Sequence, residues 1–212
     1  MDSKKFWDEH FKKMDEEGWS DYPSLFAQFS ISYFPKDGKI LDLGAGVGGD
    51  SRYFASYGYR VTSTDISDEA LHISQWESLN QKLQVDYMNL DLRNPFPLEN
   101  ESYDVVFSHA VLQYFDDKAT QDIINEVCRV LVPEGVFATL LKSKEDPLIS
   151  QSVKVDEIFY KTPSGLLERF FSTEEFLKFI KGKFEPIVLD SFGQTMEHEH
   201  DTFLRFIGKK PL

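Results

Sequence analysis

Apolar positions up to Pro35 recur at helical spacing. Trp7, Phe11 and Met14 form one stripe, and Leu25, Phe26, Phe29 and Tyr33 a second. The polar stretch EEGWSDYP separates the two expected helices, and Pro35 ends the second. Residues 1–37 are therefore expected to form a helical cap. From residue 39 the pattern changes to short apolar runs alternating with amphipathic stretches. KILDL, YRVTSTD, LQVDYMNLD, YDVVFSHA and VFATLLK read as five strands. Between them, GDSRYFASYG reads as a helix with Tyr53, Phe54 and Tyr57 on one side, stopped at Gly58. SDEALHISQWESLNQKL reads as a second, capped by Ser67, with Ile73, Trp76 and Leu83 as its expected stripe. In DKATQDIINEVCRVL, Ile123, Ile124, Val127, Val130 and Leu131 face inward, and Pro133, Glu134 and Gly135 turn the chain into the fifth strand.

Residues 143–170 have weak periodicity and read as an inserted lid segment. A helix restarts at FSTEEFLKFI, where Ser172 and Glu175 are spaced as a capping box and Phe171 can staple to Phe176. FEPIVLD and TFLRFIG close the chain as an expected antiparallel pair. Alternating strands and helices predict a parallel sheet covered on both faces, with ligands bound beyond the strands' carboxyl ends. The chain reads as a single domain over residues 1–212.

Composition narrows the partners. With 23 basic and 36 acidic residues the formal charge is −13, a poor match for phosphate backbones or anionic membranes. The opening MDSKKFWDEH contains no apolar leader, and no apolar run reaches the length of a membrane span. Cys128 is the single cysteine and reads as a small buried hydrophobe. A cytoplasmic monomer or homodimer is expected, with no nucleic-acid, membrane or metal partner.

The candidate chemistry begins at ILDLGAGVGG. Gly44, Gly46 and Gly49 spell the G-x-G-x-x-G turn of dinucleotide-binding proteins. Asp42, Gly44, Gly46 and Gly48 spell acidic-x-G-x-G-x-G, which resembles S-adenosylmethionine (SAM) methyltransferases. Asp65 ends the next strand about 20 residues on, where a carboxylate accepts from ribose hydroxyls under either fingerprint. Asp42 separates the two. Beside a pyrophosphate it would be repelled by roughly 3 kcal/mol at about 5 Å, whereas a sulfonium and an ammonium would attract it. Asp50, in the first helical turn, acts in the same direction.

Three blocks then resemble the class I SAM-dependent methyltransferases, over about residues 38–208. They are ILDLGAGVGGDSRYFASYGYRVTSTDIS, LDLRNPFPLENESYDVVFSHAVLQYF and EVCRVLVPEGVFATL. The resemblance implies a Rossmann-like, mostly parallel seven-stranded sheet, α/β in class, whose last strand is antiparallel. It implies that Gly44, Ala45, Gly46 and Gly48 run beneath the methionine portion, with Asp42 on its amino group and the Ser108 carbonyl facing the ammonium. Asp65 would clamp the ribose, Ile66 and Leu92 would cover the adenine faces, and Asp91 would accept from the adenine amino group. Asp91 and Asp42 also have ordinary readings, as loop residues bonding nearby backbone.

His109, after the fourth strand, is a candidate general base or a residue packed beneath the next helix. Tyr114 is a candidate for orienting the acceptor. Trp7, Trp19, Tyr22, Phe159 and Tyr160 are candidate pocket aromatics, or glue between cap and core. His198 and His200 in MEHEHD could face substrate or a metal, but no third ligand accompanies them. The expected function is SAM-dependent methyl transfer to a small molecule. The alternatives are a non-catalytic SAM-binding partner protein or an NAD-dependent oxidoreductase; the latter lacks the Tyr-x-x-x-Lys pair.

Overall fold

Period-two burial builds the sheet. In strand β1 (Lys39–Leu43), Ile40 enters one core cluster while Leu41 and Leu43 enter the other. The same split sends Val105 and Phe107 one way and Val106 the other in β4 (Tyr103–His109). Each strand is thus apolar on both faces, as a sheet covered on both sides requires. The computed structural model describes residues 3–16, 22–194 and 202–212.

The remaining strands of the large sheet are β2 (Arg60–Asp65), β3 (Val85–Asn89), β5 (Leu131–Lys142), β9 (Glu185–Gly193) and β10 (Phe203–Lys209). Their order is β3-β2-β1-β4-β5-β10-β9, with β10 antiparallel to both neighbours. The order reverses between β1 and β4, so the crevice beyond their carboxyl ends is the ligand position of this architecture.

The helices are α1 (Ser3–Glu16), α2 (Leu25–Ser30), α3 (Gly49–Ser56), α4 (Asp68–Asn80), α5 (Asp117–Val130), α6 (Leu148–Gln151) and α7 (Thr173–Ile180). On one face, Phe26 of α2 and Phe54 of α3 both meet Phe107, with ring centroids 5.4 and 4.9 Å apart. On the other, α5 buries Ile123, Ile124, Val127 and Val130, and α7 buries Phe176 and Ile180. Cys128 is partly buried against that second cluster.

Two readings of the pattern need correction. The inward face of α4 is Ala70, Leu71, Ser74 and Ser78, while Trp76 is exposed. Small residues win there because α4 lies close to the sheet, where Tyr87 bonds Ser78 Oγ (2.6 Å) and the Ser74 carbonyl (3.1 Å). The fifth strand begins earlier than expected, at Leu131. The Pro-Glu-Gly turn is absorbed as a register shift against β4, with Glu134 at φ 63°.

Residues 143–170 hold α6 and a small antiparallel sheet, β6 (Val153–Lys154), β7 (Phe159–Lys161) and β8 (Leu167–Arg169), with β7 in the middle. Strands of two or three residues are too short to show alternation, hence the weak periodicity. Among the described residues no helix is long and apolar enough to cross a membrane.

The capping box at α7 is formed: Glu175 N–H donates to Ser172 Oγ (3.2 Å) and Ser172 N–H to Glu175 Oε2 (3.0 Å). Replacing Ser172 with Ala is expected to cost about 1 kcal/mol. A lower urea midpoint at unchanged slope checks this; an unaltered midpoint contradicts it.

Candidate active site

The loop after β1 needs glycine at Gly44 and Gly46 because two neighbours press on it there. A Cβ on Gly44, at φ 65°, would lie 2.6 Å from Val111 Cγ2, and one on Gly46 2.9 Å from Phe11 Cε1. Backbone bonds hold the loop to the second strand. Ala45 N–H donates to the Thr64 carbonyl (2.8 Å), and Gly46 N–H to Asp65 Oδ2 (2.9 Å). The other Asp65 oxygen accepts from Ser67 N–H (2.9 Å), at the N-cap of α4. Burial raises the Asp65 pKa above the ordinary carboxylate value, against these N–H donors.

A cavity of about 460 Å³ opens above this loop, at the point where strand order reverses. That is within the size range of small-molecule sites. Asp65 and Ile66 wall it after β2, Asp91 and Leu92 after β3, and His109 and Tyr114 after β4. Helix α1 lies over it, with Trp7, His10 and Phe11 among its lining. Trp7 meets Tyr114 edge to face at 4.9 Å. The helix is fastened by Asp8, whose Oδ1 accepts from Ser67 Oγ (2.6 Å) and Glu69 N–H (3.3 Å).

Asp50, in the first turn of α3, also reaches the wall. Its carboxylate accepts from Ser24 N–H (2.6 Å) and Ser24 Oγ (2.9 Å), and His109 Nδ1 lies 3.6 Å from its Oδ2. Burial lowers the His109 pKa below the usual imidazole value, with Asp50 pulling it upward.

Comparison with known proteins agrees with this arrangement. A family profile described as "Methyltransferase domain" matches residues 41–139. A malonyl-[acyl-carrier protein] O-methyltransferase of Enterobacter lignolyticus is 31% identical over 150 residues, 70% of this chain and 56% of that protein. The matched stretch is a methyltransferase domain of the class I SAM-dependent type. The chain spans little more than half of that relative's length. A SAM-dependent methyltransferase structure from Methanosarcina mazei shares the fold at TM-score 0.71 and 23% identity, covering 87% of this chain and 97% of that one. A 1,6-didemethyltoxoflavin-N1-methyltransferase from Burkholderia thailandensis was solved with 1,6-didemethyltoxoflavin and S-adenosylhomocysteine bound. It gives TM-score 0.67 at 18% identity, over 88% of this chain and 77% of that one.

Within this methyltransferase fold, Gly44, Ala45, Gly46, Asp65, Ile66, Asp91 and Leu92 meet at one cavity, with His109, Tyr114, Trp7 and Tyr22. Five expected residues are not in its wall. Asp42 lies buried behind the loop, accepting from Ser51 Oγ (2.6 Å). Gly48 backs onto α4, where a Cβ would lie 1.8 Å from Ser74 Oγ. Ser108 is fully buried within β4. Phe159 and Tyr160 lie on β7, one strand behind β8, and β8 is the strand that supplies Glu168 to the site. Trp19, His198 and His200 lie outside the described residues.

Two of these side chains already have partners. Tyr114 donates its hydroxyl to Glu168 Oε1 (3.0 Å), and burial raises its pKa well above the ordinary phenol value, so the ring meets the cavity as a neutral surface. Asp91 is engaged by Arg93, whose Nη2 lies 2.7 Å from Oδ2, so an adenine amino group would share that carboxylate. The pattern missed Phe11 and His10 as cavity residues. The i, i+4 spacing of Trp7 and Phe11, which puts both on one helical face, is the signal for Phe11. Asp50, expected from the sequence to act with Asp42, does reach the wall.

Burial pushes the Asp42 carboxyl up to about 8, aided by the neighbouring Asp50 and opposed by the Ser51 hydroxyl. Its folded value exceeds its unfolded one, so between about pH 4 and 8 the folded chain holds the extra proton and stability falls as pH rises. Asp42→Asn keeps an acceptor for Ser51 and removes the titration. Calorimetry is expected to show little difference from wild type at pH 5 and a higher Tm for the variant at pH 8. Parallel curves over that range would contradict the assignment.

Proposed function

We propose that the chain is an enzyme that transfers a methyl group from SAM to a small-molecule acceptor. The observation that carries the reading is the cavity at the β1/β4 divide: a bare glycine floor, Asp65 at the ribose position, and Ile66 and Leu92 as apolar walls. Asp50 and Asp65 make this wall acidic, which suits a ligand with a sulfonium and an ammonium and opposes a pyrophosphate. The backbone of Gly44 to Gly46 would carry the methionine portion, Asp65 would accept from the ribose hydroxyls, and Asp91 would take the adenine edge.

When bound, SAM supplies an already activated methyl carbon. The chain's own task is then to align an acceptor with that carbon and to keep water away. Trp7, Phe11 and Tyr114 offer apolar surface for both purposes. Glu168 ties the 143–170 segment to Tyr114, which supports reading that segment as the lid on the acceptor side. An acceptor that shares a cavity of about 460 Å³ with a nucleoside is a small molecule. The small-molecule acceptor named for the Burkholderia thailandensis neighbour points the same way.

Thermal unfolding with SAM, S-adenosylhomocysteine and NADH tests the reading. A ligand at 100 times its Kd adds about 2.7 kcal/mol, a rise of roughly 5–10 °C for this size. The rise is expected with both sulfur nucleosides and not with NADH. Asp65→Asn, which keeps an acceptor for Gly46 N–H, is expected to weaken SAM binding by roughly tenfold or more by calorimetry, about 1.4 kcal/mol. A shift with NADH alone would overturn the proposal.

A further inference from the structure

We infer that His109 is the general base of the transfer, that Asp50 is its positioning residue, and that the acceptor is a hydroxyl compound. The inference rests on the methyltransferase reading and deepens it. His109 forms part of the cavity wall, yet its Nε2 is buried and meets no partner among the described residues. A buried ring nitrogen without a partner calls for an explanation; a turn of the ring at the cavity wall would bring it within reach of a seated acceptor O–H. The other nitrogen, Nδ1, faces Asp50 Oδ2 at 3.6 Å. Asp50 is itself held by the N–H and hydroxyl of Ser24, the N-cap of α2. An imidazole with its Nδ1 proton toward a carboxylate presents a bare Nε2 to the opposite side.

The step balances without another reagent. The acceptor oxygen forms the new bond to the methyl carbon as the carbon–sulfur bond breaks, and that bonding pair stays on sulfur. The acceptor's proton passes to His109 Nε2, and the imidazolium is stabilised by Asp50. Phenols and enols have a proton to give at this point, whereas a carboxylate has already lost its own. Neutral Tyr114, its hydroxyl committed to Glu168, does not compete for the role.

The test uses the full chain with SAM, scored on phenol and catechol against benzoate, aniline and thiophenol. The expected result is methylation of a hydroxyl acceptor, reduced roughly 10²–10⁴-fold in kcat by His109→Gln. With SAM saturating, Asp50→Asn is expected to lower kcat about tenfold at unchanged KM for the acceptor. It should also move the acidic limb of the kcat profile to lower pH, because Asp50 is the charge that raises the His109 pKa. A merely structural Asp50 would leave that limb in place. Independently of turnover, ¹⁵N spectra of the protein bound to S-adenosylhomocysteine should show His109 protonated at Nδ1 and bare at Nε2. The reverse tautomer, no turnover of any hydroxyl acceptor, or hydroxyl turnover indifferent to His109→Gln overturns the inference. Failure of wild type to bind SAM in calorimetry overturns the underlying reading instead.

Discussion

The carboxylate of Asp65 is the joint on which the site depends. One oxygen takes Gly46 N–H and the other takes Ser67 N–H, so a single buried side chain fixes both the glycine loop and the start of α4. Hydrogen bonds to a charged acceptor are roughly twice as strong as neutral ones, and here they oppose the desolvation that raises the carboxyl's pKa. The parallel pairing of β1 with β2 brings the two segments to the same end of the sheet. With the loop held there, Val111 and Phe11 can pack on bare backbone, and the cavity gains its floor.

Burial sorts the acidic residues around that floor into different tasks. Asp42 is neutralised by its surroundings and serves Ser51, whereas Asp50 reaches the cavity wall and meets Ser24 and His109. The acidic side of the cavity wall therefore comes from Asp50 and Asp65 rather than from Asp42. Two carboxylates eight residues apart in sequence have come to opposite sides of one loop, and only one of them faces what binds there.

Most of the fold was legible because its signals are local. Alternation marks β1 and β4, Ser172 and Glu175 mark the start of α7, and Ser67 marks α4. The glycine loop and Asp65 were legible for the same reason, as fixed spacings after strands. What was not legible depends on distant packing. Trp76 fits a helical stripe, but the sheet approaches α4 too closely for it, and serines line that face instead. Nothing in Phe159 or Tyr160 reveals that they would fall on the middle strand of a small separate sheet, outside the cavity wall. The pairing of Tyr114 with Glu168, 54 residues apart, has no signature in either segment.

Ser67 gives the roof and the floor a common hinge pin. Its N–H is on Asp65 while its hydroxyl is on Asp8, so the residue that anchors α1 is also the one that steadies the ribose carboxylate. Such coupling is reciprocal: whatever tightens one grip tightens the other by the same free energy. On the proposed reading, a nucleoside seated on Asp65 would therefore help keep α1 in place, and α1 in place would help retain the nucleoside. The roof of the cavity would then be part of the grip on the cofactor.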